Sequence, residues 1–327
     1  MSTKRVILSV AVAIFGVSLA PVSASAQSYP NRLIKLVLPF PAGGPTDGAA
    51  RLIAERLSAS LGQTVVIENR AGGAGGTVGA KTVATADPDG YTLLFTPPGP
   101  LVTAPLIFKN VGYDPVKDFA PVATIFSSPQ VLVVNPAVPA SSMQELVAYA
   151  KANPGKVSYA SPGFGTQPHL LGEMLKLATG ANILHVPFRG SAPALTDLLA
   201  GQVQVFFDTV TFLLPHVEAG KLRPLAIADV ARSPQFASVP TTIEAGFPKL
   251  QGTYWTAVVA PTGTPPDIVG KLNAAINAIT TSKEMEETLS RLSAKAKVGS
   301  PADVTAFMAA ESRKWGEVIS AANIKGD

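Results

Sequence analysis

Two rhythms of apolar residues alternate along the chain: short runs rich in Val, Ile and Leu, and longer stretches in which apolar positions recur every three or four residues. The first rhythm predicts strands buried on both faces, the second amphipathic helices. Leu33 to Leu38 opens the series as a strand. Gly48 to Leu61 follows as a helix, with Ala49, Leu52, Ile53, Leu57 and Leu61 on one face and Gly62 as the permissive residue at its end. The join between them, Phe40-Pro41-Ala42-Gly43-Gly44-Pro45-Thr46-Asp47, carries two adjacent glycines. Amides at the front of a helix have no partner inside it, and glycines leave them uncovered, so the join predicts an anion cradle. The same residues also read as a plain tight turn in which Thr46 or Asp47 caps the helix. Asp47 is taken as such a cap, because a carboxylate facing a bound anion would repel it.

The pattern then repeats. Thr64 to Glu68 reads as a strand, the glycine-rich loop Asn69 to Gly76 follows, and a helix runs from Thr77 to Ala86. Tyr91 to Thr96 is a third strand, after which Pro97-Pro98-Gly99-Pro100 blocks an immediate helix. Val122 to Phe126 and Val131 to Val134 read as extended pieces crossing into a second lobe. There Ser142-Met143-Gln144-Glu145 has the spacing of a capping box. Val157 to Ala160 is a strand, and Ser161 to Pro168 is another glycine-bearing loop ahead of a helix from His169 to Ala178. Ile183 to Val186 leads through Phe188-Arg189-Gly190-Ser191 into a helix over Ala194 to Ala200. Val203 to Phe207 delivers Asp208 at its carboxyl end before a helical run toward Gly220. Leu225 to Ala228 is short and apolar, Tyr254 to Val259 reads as the return crossing, and helices from Pro265, Lys283 and Pro301 finish the chain. Strand and helix alternate almost throughout, the mark of an α/β fold with a largely parallel sheet, in which ligands sit beyond the carboxyl ends of the strands. The expected division is 1–26 as a signal peptide, 27–127 as the first part of lobe 1, 128–251 as lobe 2, and 252–327 as the return to lobe 1.

Composition narrows the function classes. Lys4-Arg5, the apolar run Val6 to Ala20 and the small residues Ala24-Ser25-Ala26 read as a secretory signal, so the mature chain is expected to begin at Gln27, outside the cytoplasm. A retained anchor is the alternative, but the apolar run is short for a bilayer span. Loss of Lys4 and Arg5 removes two positive charges from a formal net charge of +4, leaving a mild positive balance that favours small anions slightly. With 15% of residues charged and no Lys/Arg block interleaved with aromatics, nucleic acid is not an expected partner. The lack of cysteine excludes disulfides, thiolate metal sites and thiol nucleophiles. A chain of 327 residues, 47% of them hydrophobic, can bury a large core and usually divides it between lobes.

Motifs for catalysis are mostly missing. Gly75 to Thr82 comes close to a phosphate-binding P-loop, but Ala80 stands where that motif needs glycine. No strand is followed by Gly-x-Gly-x-x-Gly, and neither His-Glu-x-x-His nor Gly-x-Ser-x-Gly occurs. His169 opens a helix after a glycine loop, where it can donate to an anion; His185 reads as a core or boundary residue and His216 as an exposed helix residue. A Ser/His/Asp set assembled in space stays open, since such triads are defined by geometry. Arg189 can offer a charge-assisted contact to a carboxylate or form a surface ion pair. Asp208 can accept from a ligand hydroxyl or amine, or cap the helix after it.

Taken together, Tyr29-Pro30, Leu36-Val37-Leu38-Pro39-Phe40-Pro41-Ala42-Gly43-Gly44, Glu68-Asn69-Arg70, Gly90-Tyr91-Thr92-Leu93-Leu94, His185-Val186-Pro187-Phe188-Arg189-Gly190, Asp197-Leu198-Leu199-Ala200-Gly201 and Ala260-Pro261-Thr262-Gly263-Thr264-Pro265 resemble the Bug family. Its members are the periplasmic solute receptors of tripartite tricarboxylate transporters. The resemblance covers nearly the whole mature chain. It implies a type II periplasmic binding protein fold, with two lobes joined by two crossing strands and a ligand cleft between them. It also implies a periplasmic location, no cofactor or metal, a monomer, and as partners a small organic acid and the membrane subunits of a transporter. In that family the first strand-to-helix loop holds a ligand carboxylate through backbone amides and ordered water. This maps to Ala42, Gly43, Gly44 and Thr46, and the candidate set adds Phe40 and Asp47 from the same loop. Thr96, from the loop after the third strand, would contribute from the same lobe and face Ser161, Thr166 and His169, with Arg189 and Asp208 nearby. Pro97-Pro98 departs from the small hydroxyl residues frequent there and removes amide donors, so an aromatic or otherwise apolar acid fits as well as a di- or tricarboxylate. The rivals are a periplasmic hydrolase or a sensor receptor using the same cleft.

Overall fold

The computed structural model describes residues 29–326, so the signal segment expected at 1–26 lies outside the described residues. Lobe 1 begins with β1 (Ile34–Leu38), α1 (Pro45–Leu61), β2 (Val65–Asn69), α2 (Thr77–Ala84), β3 (Thr92–Thr96), α3 (Ala104–Ile107) and β4 (Phe119–Ser128). Past Pro129 the chain enters lobe 2 with β5 (Gln130–Val134), α4 (Met143–Ala152), β6 (Ser158–Ser161), α5 (Gln167–Thr179), β7 (Leu184–Pro187), α6 (Ser191–Leu199), β8 (Val205–Thr209), α7 (Val210–Glu218) and β9 (Arg223–Ile227). It returns through β10 (Tyr254–Pro261), α8 (Pro266–Thr280), α9 (Lys283–Arg291), β11 (Lys295–Ala296) and α10 (Pro301–Ala321). The sheets have strand orders β11-β4-β10-β3-β1-β2 and β7-β6-β8-β5-β9.

Both sheets are mixed, which corrects the largely parallel arrangement expected from strand-helix alternation. Strands β1, β2 and β3 run parallel, as do β6, β7 and β8, each pair joined through a helix. The strands next to the crossings are reversed: β10 is antiparallel to β3 and β4, and β5 to β8 and β9. Apolar patterning reports that a strand is covered on both faces, not which way it runs. A second difference lies at Pro97-Pro98-Gly99-Pro100. These residues do not block a helix, because a wide π-helical turn, Gly99–Thr103, follows at once and leads into α3. Proline's fixed φ suits the first turn of a helix, where its missing N–H costs nothing. The short edge strand β11 gave no sequence signal.

Each sheet is covered on both faces, as its strand composition requires. In lobe 1, alternate residues of β1 part company. Ile34, Leu36 and Leu38 pack with Ile53 and Leu57 of α1 and Leu272 and Ile276 of α8, while Val37 faces Ala80 and Val83 of α2. In lobe 2, Leu132, Val205 and Phe207 meet α4 and α5, and Val133 and Phe206 meet α6 and α7. Each large apolar side chain so buried contributes about 1.5–3 kcal/mol. Trp315 and Ile319 of α10 close over Trp255 of β10 and Leu170 of α5, so the last helix touches both lobes. This arrangement aims the carboxyl ends of β1 and β3 and those of β6, β7 and β8 at one gap between the lobes.

Candidate ligand site

Helix α1 starts earlier than its apolar pattern indicates. Gly44 is the N-cap, in an extended conformation, and Pro45 occupies the first turn. Neither Thr46 nor Asp47 is therefore the cap residue, a correction to the sequence reading. Asp47 instead reaches back: its carboxylate accepts from the Gly43 N–H at 3.2 Å, from Arg51 Nε at 2.9 Å and from Asn69 Nδ2 at 3.2 Å. Asn69 also donates to the Phe40 carbonyl at 3.0 Å, so both ends of the loop are tied from behind. Burial opposes ionisation of Asp47, but Arg51, the Gly43 N–H and Asn69 outweigh it and hold the carboxyl below its ordinary value. Gly43 has φ +88°, a conformation glycine adopts at little cost. Its amide is taken by Asp47, so the amides at the front of α1 left without a partner among the described residues belong to Gly44, Thr46 and Asp47.

Across the gap, two helices of lobe 2 point their own N-termini the same way. Helix α5 starts after Thr166, whose hydroxyl donates to the Gly163 carbonyl at 2.7 Å, and α6 starts after Gly190, with Ser191 first in its turn. None of α1, α5 and α6 has a side-chain cap, a feature shared with α2, α3 and α8 but not with α4, α7, α9 and α10, which are capped by Ser142, Thr209, Ser282 and Ser300. Uncapped amides and the positive end of the helix dipole both favour an anion. A Cβ placed on Gly44 would lie 3.7 Å from Ser191 Cβ, and one on Gly43 would lie 3.8 Å from Ala192 Cβ, so the two loops nearly touch.

Between them is a cleft of about 600 Å³, counting the part open to solvent. Phe40, Ala42, Gly44, Thr46, Thr166, Arg189 and Asp208, all candidates from the sequence, line it. Pro41, Pro45, Pro97, Pro98, Pro162, Pro168 and Pro193 give it an apolar wall that offers no amide hydrogen. The remaining candidates stand elsewhere. Gly43 and Asp47 border a second groove on the far side of the loop, beside Phe212 and Leu292. Thr96 is fully buried and donates to the Pro97 carbonyl at 2.8 Å. Ser161 and His169 form a layer behind the wall. Ser161 Oγ lies 2.6 Å from His185 Nε2 and also donates to the Gly163 carbonyl, the Gly165 N–H donates to His169 Nδ1 at 3.2 Å, and the two imidazoles stack at 4.2 Å. Burial pushes His169 down to about 4 and His185 to about 3, with Lys176 acting in the same sense.

Among the described residues, Asp208 is the one acidic side chain that lines the cleft. Thr209, not Asp208, caps α7: its hydroxyl accepts from the Phe212 N–H at 3.3 Å, which corrects the cap reading of Asp208. Asp208 Oδ1 accepts from the Thr209 N–H at 2.7 Å, while Oδ2 is buried with no hydrogen-bond partner among the described residues. Burial raises its pKa to about 6; the neighbouring Ser191 hydroxyl, which approaches without reaching hydrogen-bond geometry, and the Thr209 N–H and hydroxyl act in the opposite sense. Three further polar lining residues escaped the sequence reading: Gln167, Ser191 and Tyr254. Ser191 follows a glycine at a strand-to-helix join, the signal that singled out Gly44. Tyr254, whose hydroxyl lies 2.8 Å from Thr46 Oγ1, opens the return strand, and nothing local marks it.

With this geometry in view, comparison with known proteins is decisive. The model of the tripartite tricarboxylate transporter family receptor matches residues 49–324. The chain belongs to that receptor family. Among curated relatives of the receptor is protein BugT of Bordetella pertussis, 39% identical over 320 residues that make up 98% of this chain and 97% of BugT. Among solved structures, Rhodopseudomonas palustris Rpa4515 with adipate superposes with a TM-score of 0.88 at 39% identity, covering 91% of this receptor and 99% of that chain. MatC from R. palustris with bound malate gives 0.84 at 35% identity, covering 89% and 100%. The receptor thus has the two-lobed α/β fold of periplasmic binding proteins of this type.

Proposed function

We propose that this receptor captures a small organic acid in the cleft between its lobes, in the periplasm, and hands it to the membrane subunits of a tripartite transporter without altering it. The observation that carries the reading is the convergence of three uncapped helix N-termini, drawn from both lobes, on one apolar-walled cleft that Arg189 also lines. The adipate and malate held by Rpa4515 and MatC support a carboxylate as the ligand class. The apolar wall favours an acid with an apolar body. Residues 27–127 with 252–327, and 128–251, are the two bodies that close on it as a monomer.

A hydrolase in the same cleft would need an activated nucleophile. Ser161 and His185 are in contact, but Ser161 is fully buried behind the wall and its neighbour is held neutral down to about pH 3, far from the value useful for a base near neutrality. A thermal-shift panel of mono-, di- and tricarboxylic acids tests the reading, because a ligand that binds only the folded chain raises Tm. At least one acid raises Tm and is recovered unchanged after incubation. A panel without effect refutes the ligand class, and turnover refutes the receptor role.

A further inference from the structure

Resting on the carboxylate reading above, we propose that Asp208 makes capture proton-linked: when an acid enters the cleft, Asp208 takes up one proton from solvent and donates its O–H, through Oδ2, to the ligand carboxylate. No other bond forms or breaks. The geometry sets up a conflict that a proton resolves. Oδ1 is satisfied by the Thr209 N–H, but Oδ2 is a buried acceptor with no partner among the described residues. The group lines the same narrow space as Gly44, Thr46 and Ser191, so a carboxylate held at the helix N-termini must lie close to it. Two carboxylates in such proximity do not both stay ionised. The surroundings supply no compensating cation. Ser191 approaches from α6, Thr46 and Tyr254 from lobe 1, and Val131 is the partner in β5; Arg189 lines the cleft but makes no ion pair with Asp208 among the described residues.

A ligand ammonium group could satisfy an ionised Oδ2 instead, but it would face the positive ends of three helices. A ligand hydroxyl could do so without that conflict. Burial already brings Asp208 near neutrality in the empty site, at about 6, and a second negative charge moves it further in the same direction. Binding is then strongest near pH 6, where the ligand is still an anion, and weakens as pH rises, by on the order of tenfold per pH unit until the bound-state pKa is passed.

The test is calorimetry of the whole mature chain with adipate and with malate, in buffers of contrasting ionisation enthalpy near neutral pH. Wild type takes up about one proton per acid bound, and its affinity follows the slope just given. Asp208→Asn keeps an acceptor for the Thr209 N–H and always carries a donor. It shows neither uptake nor slope, and at about pH 8 it binds more tightly than wild type. Binding without proton uptake, or uptake that persists in Asp208→Asn, overturns the proposal; uptake with adipate but not malate overturns it for hydroxy acids, whose own hydroxyl then fills the role. If neither acid binds, the carboxylate reading fails for those acids, and carbon-13 titration of Asp208 with and without acetate still decides. A carboxyl that titrates in the ordinary range, or that acetate does not move upward, refutes the proposal.

Discussion

Replacing Asp47 with alanine separates a support beneath the loop from a group in contact with ligand. The carboxylate accepts from the Gly43 N–H at 3.2 Å, Asn69 Nδ2 at 3.2 Å, and Arg51 Nε and Nη2 at 2.9 and 3.1 Å. Removing it strands the Gly43 and Asn69 donors in a partly buried place, at about 1 kcal/mol each. The Arg51 side chain is 58% exposed, so that pair adds only about 0.3–0.5 kcal/mol. The total, about 2–3 kcal/mol, lowers Tm by roughly 3–5 °C for a chain of this size. Asp47→Asn keeps one acceptor and loses about half as much. The sign with pH follows from the lowered pKa: the contribution is complete above the ordinary carboxylate value and is lost as pH falls through the folded one. Melting curves of wild type and variant therefore converge in strong acid. Thermal melts and calorimetric titration with adipate are the assays. An unchanged Tm refutes the support role, and tighter binding in the alanine variant would mean that the carboxylate had been repelling the ligand directly.

Three other outcomes follow from the same geometry. Gly43→Ala costs about 1–2 kcal/mol of backbone strain at φ +88° while its methyl group just meets Ala192. Gly43→Leu wedges the lobes apart and lowers acid affinity at least tenfold beyond the alanine variant; equal affinities would refute closure at this contact. Arg189→Met, at an exposed side chain, lowers affinity about tenfold, as loss of a charge-assisted contact does, and leaves Tm unchanged; a loss of Tm with normal affinity would mean Arg189 serves the fold. Because burial holds His169 and His185 below their ordinary value of 6.5, to about 4 and about 3, the unfolded chain binds protons first. Stability is complete above about pH 6.5 and declines as pH falls toward 4. His185→Asn flattens that decline in Tm relative to wild type, and an unaltered slope would count against the histidine pair as its source.

Local chemistry made some features legible in the sequence and left others silent. The α1 loop was readable because Gly43-Gly44 at a strand-to-helix join permits a sharp turn and bare amides whatever the rest of the chain does. The cap at Ser142 was readable for the same reason: its hydroxyl accepts from the Glu145 N–H, although the Glu145 carboxylate takes the Ser141 N–H instead of completing the box, whereas the reciprocal pair Ser300–Asp303 was not singled out as a box. Strand direction was silent, because β5 and β10 carry the same apolar composition as the parallel strands beside them. Ser161 and His169 belong to the right loop and helix, yet they turn into the layer behind the wall, an outcome set by the packing of His185, Phe164 and Tyr159. Asp47 and Asp208, both candidates, part company in the structure. The one in the loop looks backward to Arg51 and Asn69, and Asp208, for which a cap of α7 and a ligand contact both stood open, lines the cleft, because Thr209 takes the capping position.

The magnitudes also say what kind of switch this is. Three helix N-termini favour a bound anion by about 0.3–1 kcal/mol each, together about 1–3 kcal/mol, whereas micromolar binding needs about 8 kcal/mol. Hydrogen bonds from the unpaired amides and burial of the ligand's body against the proline wall must therefore supply most of the affinity. Charge decides something else. Helix α1 belongs to lobe 1 and α5 and α6 to lobe 2, so an anion held by α1 gains the second lobe's share only when the cleft shuts, and that difference adds to the lobe 2 hydrogen bonds and wall contacts that favour closure. Without an anion, the positive ends of α1 and α6 face each other across the Gly44–Ser191 gap, where a Cβ on Gly44 would sit 3.7 Å from Ser191 Cβ, and their repulsion favours parting. Small-angle scattering of the mature chain consequently reports a smaller radius of gyration with a binding acid than without one. A radius that is the same in both states, measured with an acid whose binding calorimetry has established, would mean that the lobes stay shut when empty and that the anion does not drive closure.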